Sequence, residues 1–413
     1  MKNEIKNTFE TLSTEKLVEI LGLTIKRDEV NKLITFLAML SAYTEDSQLN
    51  ISFNAPSSSG KSFIPLEIAR LFPQENVIKL ASASATAFYH EQGKYDKETN
   101  TYIVDLSHKI IIFLDQPSTQ LLCRLRSLLS HDDKEIQAKI TDKNQRGGNR
   151  TKTVIIKGFP VVIYCTATFD IDEQEATRFI LLSPDITQEK IRDAVLEKIR
   201  KESNKEAYVG LVETDPLRLE LMERIRAIKE LNVSDIRIGV SKQISDEFFK
   251  RIEKLKTRHQ RDIARILNLV KLFALLNLWD RKKIDGVLYA EEQDVKEAFK
   301  LWDTISESQE LNLPPHILKV YREVLLPAYW EKNGGLEGAI GGMGLARQDI
   351  MQKYYAVYNS FLADWLLRQK YIPLLETAGL IVQEADSIDK RKMLIFPTSL
   401  FNKFQPKEGE KIT

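Results

Sequence analysis

The chain has 413 residues, 43% of them apolar and 29% charged, and a formal net charge of +1. That length predicts two to four domains, and the balance of 60 basic against 59 acidic residues excludes polyanion binding through a global field, so any nucleic-acid affinity must come from local patches. Two cysteines exclude a disulfide framework, the histidines show no metal-ligand spacing, and neither a signal-peptide core nor a run of roughly 18 apolar residues is present, so a cytoplasmic protein with no membrane span and no structural zinc is expected.

Residues 1–45 carry helical periodicity, with Leu17, Ile20 and Leu21 in one piece and Val30, Leu33, Ile34 and Leu37 in the next. Over 46–185, strand-like runs alternate with helical ones: Ile51 to Phe53, Val77 to Leu80, Ile110 to Leu114, Val161 to Tyr164 and Phe179 to Leu182. Such alternation predicts an α/β core with a mainly parallel sheet. Between its first strand and a helix from Phe63 lies Ala55-Pro-Ser-Ser-Ser-Gly-Lys-Ser62, the context of a P-loop, although Ala55 stands where the first glycine is expected. Pro56, Ser57, Ser58, Ser59, Gly60, Lys61, Ser62 and Phe63 are the expected nucleotide contacts, with Lys61 on the β/γ-phosphates and the Ser62 hydroxyl on Mg²⁺. Nucleotide binding, of ATP or GTP, is therefore expected.

The apolar run Ile110-Ile-Ile-Phe-Leu114 ends at Asp115, and a buried strand that delivers a carboxylate in register with a P-loop is a Walker B arrangement, making Asp115 the second Mg²⁺ residue. Further on, two alternating runs flank Gly147 and Gly148 and predict a β-hairpin inserted at 135–156. Its tip is locally basic, with Lys143, Arg146, Arg150 and Lys152 against Asp142, and is the candidate DNA contact. Cys123 and Cys165 lie in apolar runs and are read as buried free thiols.

Residues 186–308 read as almost wholly helical, with a long amphipathic run from His259 to Leu278. Six of the 17 glycines fall between Gly334 and Gly344, marking a linker inside a last domain, 309–402, before a tail at 403–413. That domain is expected to hold a long helix over 347–368, a short one over 372–378, and two strands around the basic turn Lys390-Arg-Lys392, a pattern that suits a winged helix or a protein-contact module.

Phosphate loop, acidic strand end and hairpin together resemble the AAA+ ATPases, within them the pre-sensor-1 hairpin branch that includes MCM-type helicases, over roughly residues 46–305. The resemblance implies an AAA+ P-loop core with a helical lid over 186–308. It also implies Thr166, with Thr168 second, as the residue sensing the γ-phosphate, and Arg178 in Glu175-Ala-Thr-Arg178 as an arginine finger for a neighbouring subunit. Arg261 takes the sensor-2 place, with Arg265 and Arg258 as alternates. Two departures stand out: Gln116 follows Asp115 where the family has Glu, and the zinc-bearing N-terminal region of MCM helicases is missing. A compact MCM-like ATPase of bacterial mobile elements or phages is the nearest description. The resemblance implies an ATP- and Mg²⁺-dependent DNA translocase acting as a homo-oligomeric, hexameric ring; the alternatives are an ATP-switched DNA-binding or loader protein with slow hydrolysis, and a protein-remodelling or defence ATPase.

Overall fold

The computed structural model describes residues 8–91, 93–99, 101–142, 150–167, 177–252, 254–335 and 342–398. They divide into two compact units, one drawn from the described residues up to 184 together with those of 192–305, the other from 185–191 together with those beyond 305.

The first unit opens with two helices. α1 (Thr14–Gly22) is capped by the Ser13 hydroxyl, which accepts from Lys16 N, and buries Leu17, Ile20 and Leu21. α2 (Glu29–Leu40) is buried on every side from Lys32 onward, as a helix apolar around most of its circumference must be. The chain then runs through β1 (Asn50–Asn54), α3 (Phe63–Ala69), β2 (Val77–Leu80), β3 (Lys94–Asp96), β4 (Thr101–Asp105), β5 (Ile110–Phe113), α4 (Thr119–Leu129), β6 (Glu135–Asp142), β7 (Arg150–Lys157), β8 (Val161–Thr166) and β9 (Phe179–Leu182). The five strands expected from the sequence form one parallel sheet, in the order β2-β5-β8-β1-β9. β1, β5, β8 and β9 are buried along their whole length, which accounts for apolar runs without polar alternation. Their side chains alternate between two cores. Ile51, Phe53, Ile112, Ile163 and Leu182 pack with α1 and α2, whereas Ile111, Phe113, Val162, Tyr164 and Phe179 pack with Leu121, Leu125 and Leu128 of α4. At about 1.5–3 kcal/mol for each large apolar side chain fully buried, these two layers fix the strand register and so the strand ends.

The hairpin expected at 135–156 is half of a larger element. β6 and β7 pair antiparallel over eight positions, from Glu135 opposite Lys157 to Asp142 opposite Arg150. β4 adds to β7 in parallel and β3 to β4 antiparallel, making a second sheet in the order β3-β4-β7-β6. Val104, Val154 and Ile156 seat it on the α4 side of the core.

Helices α5 (Gln188–Ser203), α6 (Lys205–Glu213), α7 (Pro216–Leu231), α8 (Ser241–Lys250), α9 (His259–Leu276) and α10 (Glu292–Glu310) follow. The region is not wholly helical: β10 (Ile236–Ile238), β11 (Lys283–Ile284) and β12 (Val287–Ala290) form a small sheet in the order β10-β12-β11. Asp285 (φ 49) and Gly286 (φ 81) make the turn between β11 and β12, and positive φ at both central residues is what a tight hairpin turn requires.

The second unit contains the helices Pro315–Val320 and Leu326–Lys332, joined through a π turn, then Arg347–Tyr358, Asp364–Leu366 and Ile372–Thr377. The single helix expected over 347–368 breaks after Tyr358, where Asn359 takes the left-handed conformation (φ 50) and caps it. β13 (Ile381–Ala385) and β14 (Met393–Pro397) then pair antiparallel, and Leu345 bridges to Ile395. The tail expected at 403–413 lies outside the described residues. No helix among the described residues is long and apolar enough to cross a membrane.

Candidate nucleotide-binding site

Parallel strands deliver all their carboxyl ends to one edge of a sheet, where ligands of open α/β folds bind. Here three neighbouring strands, β5, β8 and β1, bring the expected residues to that edge. Asn54 at the end of β1 is level with Thr166 at the end of β8, and Phe113 of β5 is level with Tyr164 two residues earlier, so Asp115 emerges beside Thr166.

The loop after β1 owes its path to two residues in the left-handed region, Ser58 (φ 65) and Gly60 (φ 86). Nothing lies within 4 Å of a Cβ built on Gly60, so the space over the loop is open. Ala55, at the place of the motif's first glycine, is fully buried, is not in the left-handed region, and extends the β1–β8 ladder by donating its N–H to Thr166 O at 3.2 Å. Ordinary extended backbone there removes the need for glycine. Lys61 Nζ folds back to Pro56 O at 3.4 Å, Ser62 precedes the first turn of α3, and Phe63 is half exposed beside the loop. Ser59 Oγ and Asn54 Oδ1 are buried with no hydrogen-bond partner among the described residues. Buried polar atoms are ordinarily paired, so an open loop with a lysine and an orphaned hydroxyl fits a phosphate-bearing ligand.

The other two strand ends complete the arrangement. The Thr166 hydroxyl, itself buried, donates to Gln116 Oε1 at 2.9 Å, and Gln116 N donates to Asp115 Oδ1 at 2.8 Å. Cys165, which the motifs did not single out, lies between strand end and loop, its Sγ donating to Lys61 O at 3.4 Å. Burial pushes this thiol up to about 12, with Asp115 adding to the rise and the Lys61 ammonium opposing it, so both charges act on one buried atom. Cys123, by contrast, is exposed, because α4 buries Leu121, Leu122, Leu125 and Leu128 and leaves position 123 on its outer side. The donor set of Ser62 and Asp115 is the hard oxygen pair that would hold Mg²⁺ against phosphates.

Arg178 and Arg261 are not brought to Lys61 of their own chain. Phe179 pairs with Asn50, the first residue of β1, so Arg178 sits at the amino edge, roughly 15 Å from the loop for a five-residue strand. Its Nε donates to Ser130 Oγ at 2.6 Å, beyond the end of α4. From α9, Arg261 Nη1 donates to Thr177 Oγ1, at the same edge. The alternates are engaged too, Arg258 with Asp262 at 3.0 Å and Arg265 with the backbone at Thr177 and Phe179. On the hairpin, Lys143 and Arg146 lie outside the described residues, as does Thr168; Arg150 opens β7 opposite Asp142. Lys152 is not at a free tip but half-buried, its ammonium 4.8 Å from the centre of the Tyr102 ring of β4.

No curated protein matches the chain. The profile of the family described as MTBMA_p00010 P-loop domain matches residues 1–225, which include the whole parallel sheet and every residue gathered at its carboxyl edge. The chain belongs to this P-loop family and is a nucleotide-binding NTPase of the P-loop class.

Proposed function

We propose that the chain is an AAA+ ATPase of the pre-sensor-1 hairpin branch that works as a ring, coupling ATP hydrolysis to movement on DNA. The observation that carries the chemistry is the Thr166–Gln116 hydrogen bond at 2.9 Å, next to Asp115 and across from the Lys61 loop. The loop from Pro56 to Ser62 cradles the triphosphate, and Lys61 supplies a fixed positive charge to it. Ser62 and Asp115 would hold Mg²⁺, which would supply positive charge against that of the phosphates. Gln116, steadied by the Thr166 hydroxyl, orients the attacking water but cannot accept its proton, because an amide has no basic site at neutral pH. Phosphoryl transfer depends mainly on positioning and electrostatics, so hydrolysis proceeds without a carboxylate base, at a reduced rate.

Arg178 at the amino edge supports a site shared between copies: its charge is out of reach of its own P-loop and would reach the phosphates of a neighbour. A hexameric ring closes such a head-to-tail contact. The β6–β7 pair carries Lys152 and Arg150, and with Lys143 and Arg146 of the sequence between the two strands these basic residues would track a nucleic-acid backbone with little base reading. In the second unit, helices followed by the β13–β14 pair, whose turn bears Lys390, Arg391 and Lys392, support a winged helix that adds a second contact. An ATP-switched DNA-binding protein with slow hydrolysis is the second reading, favoured by Gln116 in place of a carboxylate.

ATP turnover and DNA binding, with and without single-stranded DNA, test the proposal. The motor predicts DNA-stimulated turnover. It also predicts that neutralising Lys143, Arg146, Arg150 and Lys152 together flattens the salt dependence of binding by about 0.7–0.9 log units per lost phosphate contact while basal turnover survives. Unstimulated turnover with unchanged DNA affinity would contradict it.

A further inference from the structure

Helix α9 meets the segment around Arg178 through a second arginine, whose contacts differ in kind from those of Arg261. Arg265 Nη2 donates to Thr177 O at 2.8 Å and to Phe179 O at 3.0 Å, the carbonyls of the two residues that flank Arg178. β9 begins at Phe179, so Thr177 and Arg178 lie just outside the strand and the Thr177 carbonyl takes its bond from α9. The Arg265 side chain is buried, and Asp262, one turn earlier on the same helix, lies 3.9 Å from it while accepting two hydrogen bonds from Arg258. Burial presses the Arg265 guanidinium down to about 10, so it stays charged at neutral pH. A buried charge is tolerated only where partners take up its donors, and here two of those partners are backbone oxygens of a three-residue stretch centred on Arg178.

We infer that Arg265 is a positioning residue for Arg178: by holding the carbonyls of Thr177 and Phe179, the residues before and after it, Arg265 sets the direction in which the Arg178 side chain leaves the sheet edge. The aim of Arg178 is thereby tied to α9, so that a shift of this helix changes what a neighbouring copy receives. The inference rests on the proposal that Arg178 serves a neighbour's ATP site.

Arg265→Lys keeps the charge but replaces a planar guanidinium, whose Nη2 alone serves both carbonyls in directions fixed by its plane, by a shorter and freely rotating ammonium that does not hold them in the same geometry. Turnover should fall roughly 10- to 100-fold, the scale of a displacement of about 1 Å at a reacting centre, with KM for ATP and the melting temperature near wild type. Added to Arg178→Ala, it should cause no further loss, because the residue it aims is gone. Mixed with Lys61→Ala chains it should recover turnover, since those chains lend an intact Arg178 to its competent P-loop. If Arg178→Ala is impaired but Arg265→Lys is not, or if the two losses add in full, the clamp is overturned while the role of Arg178 stands. If Arg178→Ala turns over at the wild-type rate, both fall. Should the lysine variant fail to fold, Arg265→Gln, neutral and able to reach one carbonyl, carries the same comparison with the same outcomes.

Discussion

The two edges of the parallel sheet gather polar residues in opposite ways. At the carboxyl edge, Lys61, Asp115, Gln116 and Thr166 come from three adjacent strand ends and are bonded to one another or to their own loop. At the amino edge, Arg261 and Arg265 of α9 reach Thr177 and Phe179, the residues on either side of Arg178, while Arg178 itself donates to Ser130, so three arginines gather around one short stretch of chain. Strand polarity explains the first, since every parallel strand in a wound sheet points its binding loop the same way. Only packing of α9 against the start of β9 explains the second. One edge is built to receive phosphates within the chain, and the other collects positive charge where the chain itself offers no phosphate loop.

Variants of the carboxyl edge should have the largest effects. Lys61→Ala removes the fixed charge over the loop and should abolish ATP binding or turnover, read by titration with a fluorescent ATP analogue and by phosphate release; wild-type affinity and rate would remove the P-loop from the mechanism. Next, Gln116→Glu retains an acceptor for the Thr166 hydroxyl and adds a base, so turnover should rise about tenfold or more, and a collapse would show that the amide itself is the working group. The smallest effect concerns the loop's backbone. Ser58 holds a left-handed φ of 65 without being glycine, so Ser58→Gly should relieve about 1 kcal/mol of strain and raise the melting temperature by about 1–2 °C, while Ala55→Gly should give no gain. Equal responses at the two positions would mean that the loop's strain is not where the dihedrals put it.

Strands buried on both faces are written as unbroken apolar runs, so the five of the main sheet were legible, and with them the ends that carry Asp115 and Thr166. β3 and β4 were not: Lys94–Asp96 and Thr101–Asp105 are short, polar-rich and become strands only because β7 offers an edge to pair with. The β11–β12 hairpin carried its signal in Asp285-Gly286 and went unseen in a region dominated by helical periodicity. Ala55 looked like a flaw in the motif but is an ordinary buried extension of β1, whereas the unusual backbone falls at Ser58. Arg261 and Arg265 were visible as neighbours on one helix. That their side chains end beside Arg178 depends on tertiary packing, which helical spacing alone does not encode.

In the proposed ring, a complete ATP site takes its phosphate loop from one chain and Arg178 from another. Arg178→Ala alone should bind ATP normally and lose about 10³-fold in turnover, and Lys61→Ala alone should be inactive. The decisive measurement is turnover after the two are mixed, with mixed oligomers demonstrated by mass. With a shared site, activity reappears in proportion to the interfaces pairing an intact Lys61 with an intact Arg178; mixed oligomers that form and remain inactive would rule out sharing.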